Sequence, residues 1–234
     1  MTIRGLALKT GLLLLLASGS SAAQAPIDPS LPDAPLTHRQ ELFLFSGYGS
    51  VMDPHTPVPP LTTKQKYKLA FVETVDLSML LRAAFVSGFD AAVNVGPDYG
   101  PGIGGFGKLY AANAASIAIN NFFQDGFIPS LVHQDPRFFR KGTGSVKSRI
   151  WWGVRSQFVA FNDQGKSMPN YGSIVGLPMA TALSNVYLPA KNVSFGQTME
   201  GIAIRIGVNA GLDTAREFGG LRRLGKLIPH HKHE

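Results

Sequence analysis

The residues best placed to do chemistry fall in one run, His133-Gln134-Asp135-Pro136-Arg137, with Arg140 and Lys141 close behind. An imidazole, a carboxylate and several cations can bind a phosphate group or run general acid and base catalysis. The candidate site of a hydrolase or phosphate-ester-binding enzyme is therefore His133, Asp135, Arg137 and Arg140. The same residues also make sense as local structure. A histidine can end a helix where its charge suits the dipole, Asp135-Pro136 suits a turn, and Arg137 can pair with its neighbour. With both readings open, no catalytic residue is assigned.

Other chemical motifs are missing or weak. Gly100-Pro101-Gly102-Ile103-Gly104-Gly105 lacks the lysine and hydroxyl ending of a phosphate loop, and no strand pattern precedes it, so it reads as a turn. There is no Gly-x-Ser-x-Gly elbow and no His-Glu-x-x-His pair. The chain has no cysteine, which removes thiolate nucleophiles, thiolate metal sites and disulfides. His230-His231-Lys232-His233 can pick up a transition metal only adventitiously, from a tail with nothing to orient the imidazoles. No cofactor and no metal are expected.

Beyond single motifs, four segments carry a likeness: Leu61-Thr62-Thr63-Lys64-Gln65-Lys66; Tyr99-Gly100-Pro101-Gly102 with Gly107-Lys108; the run from Pro129-Ser130-Leu131-Val132-His133 through Arg140-Lys141-Gly142-Thr143-Gly144; and Ser184-Asn185-Val186-Tyr187-Leu188-Pro189. In these the chain resembles a group of uncharacterised exported bacterial proteins over residues 60–218. The resemblance implies export and a shared fold, and no mechanism.

The elements that must position these residues are helical in pattern. Thr62 followed by Gln65 is a capping box after a proline pair, so a helix should open there. Apolar residues from Leu69 to Phe89 recur at helical steps, predicting helix to about residue 95 with a break near Asp76. Residues 98–107 have loop composition. Residues 106–123 read as a second, largely buried helix, and a short third ends near His133. Helices follow over 145–161, 171–188, with Pro178 as a kink, and 195–218; residues 162–169 read as a loop. Residues 24–60 hold eight prolines and read as an extended or disordered arm, with the apolar patch at 42–45 its one ordered candidate.

Three of these helices carry a small residue at every fourth position: Ala84-Gly88-Ala92-Gly96, Gly172-Gly176-Ala180-Ser184 and Ala203-Gly207-Gly211-Ala215. Steps of four share a helix face, and such stripes let backbones approach closely. At about 100° per residue, Arg82 lies about 160° from Ala84, and Arg205 and Arg216 lie about 200° and 220° from Ala203. The cations therefore point away from the small faces. The expected fold is an all-α, single-domain bundle of about five to seven helices over residues 61–228, packed on its glycine and alanine faces.

The chain begins with a basic tip (Arg4, Lys9), an apolar run at residues 12–17 and small residues ending in Ser21-Ala22-Ala23, which reads as a secretory signal cleaved after Ala23. Without Arg4 and Lys9 the 22 basic residues become 20, against 15 acidic ones. This mild excess suits an anionic membrane surface and makes nucleic acid an improbable partner. Residues 167–190 carry no charge, but three prolines and two asparagines make them a poor membrane span. The expectation is a non-enzymatic protein of the periplasm or cell envelope, acting at a membrane surface or with an envelope partner. The hydrolase above and an integral helical membrane protein are its rivals.

Overall fold

A computed structural model describes residues 27–31, 51–52, 57–93, 99–188 and 194–219. The expected signal at 1–23, the patch at 42–45, Gly96 and the histidine-rich tail at 229–234 lie outside the described residues. The described chain is mostly helical, an all-α domain with a few short strands.

Helix α1 (Thr63–Val75) opens on the predicted capping box: the Gln65 amide donates to Thr62 Oγ1 at 3.3 Å, and the Thr62 amide donates to Gln65 Oε1 at 2.8 Å. Extended backbone at the buried Asp76 (ψ 149°) ends α1 and admits α2 (Leu77–Val93). Helix α3 (Gly102–Asn121) begins inside the glycine run expected to be loop. A Cβ on Gly105 would sit 1.8 Å from the Gly100 carbonyl oxygen, so the chain can double back there only without a side chain. The α3 helix continues without a break through a π-turn (Phe122–Phe127) into α4 (Ile128–Val132), so the second and third expected helices are one rod. His133, the cap, has left-handed backbone (φ 55°).

Strands β2 (Gln134–Asp135) and β3 (Phe138–Phe139) follow. Helix α5 (Val146–Arg155) stops six residues before the expected end at 161. The next residues leave the helix because their side chains are tied elsewhere: Ser156 and Gln157 both donate to Asp213, and Asn170 Nδ2 donates to the Ser156 carbonyl. The chain then forms the hairpin β4 (Val159–Asn162) and β5 (Ser167–Pro169) where helix and loop were expected. Asn162 Oδ1, accepting from the amides of Gln164 and Lys166, closes its turn. β2 pairs antiparallel with β4, while β3 pairs parallel with β1 (Val51–Met52) from the proline-rich arm. Where described, that arm is extended at Ile27, at 51–52 and at 57–60 and makes a turn at 28–31, and it is packed: Ile27 and Met52 are buried with Phe139 and Phe161, and Val58 and Trp152 cover them. A second π-turn (Gly172–Gly176) leads into α6 (Leu177–Ser184), with Pro178 tolerated in its first turn, and α7 (Phe195–Glu217) closes the described chain.

Helix α2 packs on α3, α3 on α6, and α5 on α7. Of the three small-residue stripes, one makes the expected close contact. Gly172, Gly176, Ala180 and Ser184 are all buried, and Cβ atoms at Gly172 and Gly176 would lie 2.5 Å from the Gln124 carbonyl oxygen and 3.0 Å from that of Phe123. The other two stripes face outward: Ala84, Gly88, Ala92, Ala203, Gly207, Gly211 and Ala215 are exposed, and nothing lies within 4 Å of a Cβ built on Gly88, Gly207 or Gly211. Helix α2 instead buries Met79, Ala83 and Ser87, and α7 buries Asp213 and Glu217. The angular relation between cations and small residues is as expected, but on α2 and α7 the cations mark the inner face.

Candidate functional site

The segment 133–142 runs from the surface into the core. The His133 side chain is 84% exposed, its Nδ1 3.7 Å from Asp163 Oδ2. Gln134, buried, accepts the Gly172 amide at 3.1 Å and donates to Asn170 Oδ1 at 3.0 Å, which pins the second π-turn to β2. Asp135 is buried and fully engaged by Arg137. Its Oδ1 accepts from the Arg137 amide and Nε, both at 2.9 Å, and its Oδ2 from Nη2 at 2.6 Å. Arg137 Nη2 also donates to the Pro59 carbonyl at 2.8 Å, fixing the arm. Arg140 donates from Nε and Nη2 to the carbonyl of Glu217. The four candidate residues therefore separate: His133 lies outside, Asp135 and Arg137 form an internal pair, and Arg140 clasps the end of α7.

A cavity of about 450 Å³ lies between the helices, within the size range of small-molecule sites. Asp135 and Arg137 border it, whereas His133 and Arg140 do not. A general acid and a carboxylate must reach one reacting atom together, and here they share no pocket.

Ionisable residues missed by the sequence reading line this cavity: Glu73 of α1, Arg82 and Asp90 of α2, Asp125 of the first π-turn, and Arg205, Asp213 and Arg216 of α7. Asp213 is the best satisfied, with Oδ1 3.0 Å from Arg216 Nη1 and Oδ2 accepting from Ser156 Oγ at 2.7 Å and Gln157 Nε2 at 2.8 Å. Arg82 Nη2 donates to Asn121 Oδ1 at 3.2 Å. Asn113 Nδ2 bridges Ser87 Oγ and Asp90 Oδ2. No family model, curated protein or solved structure matches this chain. What the cavity can do must therefore be derived from its own side chains.

Burial dominates their electrostatics. It raises the Asp125 carboxyl well above the ordinary 3.8; Glu73 pushes the same way, with a smaller push from Asp213, while Arg216 and Arg82 oppose. It also raises Asp90, against the hydrogen bond from Asn113 and the charge of Arg205. A carboxyl whose pKa is higher folded than unfolded contributes its full stability below the unfolded value and loses it as pH rises through the folded one. Asp125→Asn, which cannot ionise, is therefore expected to be more stable than the parent at neutral pH, with the gap closing below about pH 4. Thermal unfolding of both proteins across pH 4 to 8 reads this directly. A parent more stable than the variant at neutral pH would show instead that the ionised carboxylate is worth keeping beside Arg82 and Arg216.

Proposed function

We propose that this chain is a non-enzymatic, membrane-associated protein of the cell envelope, seated in one leaflet through the apolar outer faces of its helices. The observation that carries this is an inverted polarity. Lys66, Asp76, Asp135 and Glu217 are among the most deeply buried side chains, while Phe85 is 71% exposed, Ile103 92% and Phe195 81%. On α2, Leu77, Leu80, Leu81, Phe85 and Phe89 are all exposed. Soluble monomers rarely leave large contiguous apolar surfaces uncovered, and lipid is a solvent in which such a face costs nothing.

Among the described residues no helix is long and apolar enough to cross a membrane, so seating at the interface is favoured over spanning. The modest basic excess suits anionic headgroups, and the N-terminal signal pattern with the likeness to exported proteins favours the envelope. The separation of His133 from Asp135 favours this role over a hydrolase.

Flotation of the purified full chain with vesicles containing anionic lipid, followed by washes, tests the proposal. The protein should float with the vesicles, stay bound through a high-salt wash and leave only with detergent. Recovery in the soluble fraction overturns it. So does release by salt alone, which would make the attachment electrostatic, and so does a lipid-free oligomer that never floats, which would mean that other copies cover the apolar faces.

A further inference from the structure

We infer that the cavity binds a single-chain anionic amphiphile, its carboxylate or phosphate head held by Arg82 and Arg205 and its chain lying along Val86, Ile117, Ile204 and Val208. The site requires only the cavity and does not rest on the lipid seating proposed above.

Five arginines border the cavity, and two are already engaged: Arg137 by Asp135 and Arg216 by Asp213. Arg82 makes its one hydrogen bond through Nη2, and its Nε is buried with no partner among the described residues. Arg205, half-buried on α7, faces Asp90 and Tyr187 across space and donates no hydrogen bond to them. Arg155 stacks on the Trp152 ring at 5.2 Å, and its guanidinium donates no hydrogen bond among the described residues. Asn120, 8% exposed and lining the same space, has an Oδ1 with no partner, which suits a hydroxyl or protonated head. Buried guanidinium donors left unmatched are costly, and an anionic oxygen is the ligand atom that satisfies them best.

Carboxylates border the cavity as well, and they do not cancel this preference. Asp213 is saturated by three donors, Asp135 is paired with Arg137, Asp90 is held by Asn113, and burial shifts both Asp90 and Asp125 toward their neutral forms. That leaves Glu73, acting on Arg82 through space, and the exposed Glu200 against five guanidinium groups.

The apolar wall makes the ligand an amphiphile rather than a free anion. Val86 of α2 and Ile117 of α3 line the space, and Ile204 and Val208 line it while remaining exposed, so the wall joins the outer apolar surface of α7. Helices α2 and α7 both flank the cavity with little packing between them, and that is the side on which a chain would enter from this surface.

Calorimetric titration of the full chain with dodecyl phosphate, dodecanoate, dodecyltrimethylammonium and inorganic phosphate tests the site. Saturable one-to-one binding of either anionic amphiphile is expected, the stronger of the two identifying the phosphate or the carboxylate as the natural head. Dodecyltrimethylammonium should not bind, and inorganic phosphate should bind far more weakly. R205Q, which removes no side-chain hydrogen bond among the described residues, should weaken binding roughly tenfold or more, and R205K should restore part of it. Val86→Trp, filling the apolar wall, should abolish binding while leaving the arginines in place. Equal binding of the cationic amphiphile, phosphate alone binding as tightly as its dodecyl ester, or an unchanged affinity in a folded R205Q overturns the inference.

Discussion

Glu217→Ala should be the most damaging single substitution in this protein, lowering stability by about 3–5 kcal/mol, the usual cost of leaving a buried ion-pair partner uncompensated. Glu217 is the last residue of α7 and is 0% exposed. Its Oε2 accepts the Lys141 amide at 2.7 Å, and its Oε1 accepts the Gly142 amide at 2.9 Å and Arg149 Nε at 2.7 Å. Arg149 is held in place by a second bond to the Glu217 carbonyl at 2.6 Å and by stacking over Phe218 at 4.3 Å. Truncation to alanine strands two backbone donors and one guanidinium in the interior at once. Glu217→Gln keeps the shape but turns an NH2 group toward one of those donors, so it should fall between alanine and the parent. Denaturant unfolding followed by circular dichroism gives both values. A loss below about 1 kcal/mol for alanine would mean that water replaces the carboxylate and that the clasp is not a core feature.

This clasp explains why the segment 133–142 looked chemical in sequence. Arg137, Arg140 and the chain at 141–142 are conspicuous because a short irregular stretch must be fixed to the arm, to α7 and to its own aspartate without regular backbone pairing. Local signals of this kind were legible from the residues: the Thr62 cap, the break at Asp76, the local pairing of Arg137, and a last helix expected over 195–218 and found over Phe195–Glu217. The hairpin over 159–169 was not legible, because it depends on Ser156 and Gln157 being drawn to Asp213, more than fifty residues away. The cavity was hidden for a similar reason. Its charges are single residues on separate helices, and periodicity places them on a face without saying which face is inside. A usable signal was present: Arg82 with Asp90 on α2, and Arg205 with Asp213 and Arg216 on α7, bring charges of both signs together on one side of each helix. Such matched sets favour an inward polar face when the outer surroundings are apolar.

Two glycine substitutions separate the packed C-terminal stretch of α7 from its open stretch two turns earlier, and their effects should differ sharply. A Cβ on Gly153 of α5 would lie 2.6 Å from Thr214 Oγ1, 2.7 Å from its amide nitrogen and 2.8 Å from its Cα. Backbone atoms cannot rotate away, so Gly153→Leu must force α5 and α7 apart and should cost about 3 kcal/mol or more, at the upper end of overpacking effects. Gly207 lies two turns before Thr214 on nearly the same face of α7, and there nothing lies within 4 Å of its Cβ position. There Gly207→Leu replaces the poorer helix former by a good one at an exposed site and should be neutral or stabilising by up to about 1 kcal/mol. The same substitution enlarges the apolar outer face, so it should also hold the protein on vesicles at least as firmly as the parent. Thermal unfolding of the two variants, with flotation of the second, reads all three expectations. If Gly207→Leu destabilised as much as Gly153→Leu, the outward stripe of α7 would be packed against protein after all, and the inner face assigned to Arg205 and Asp213 would have to be reversed.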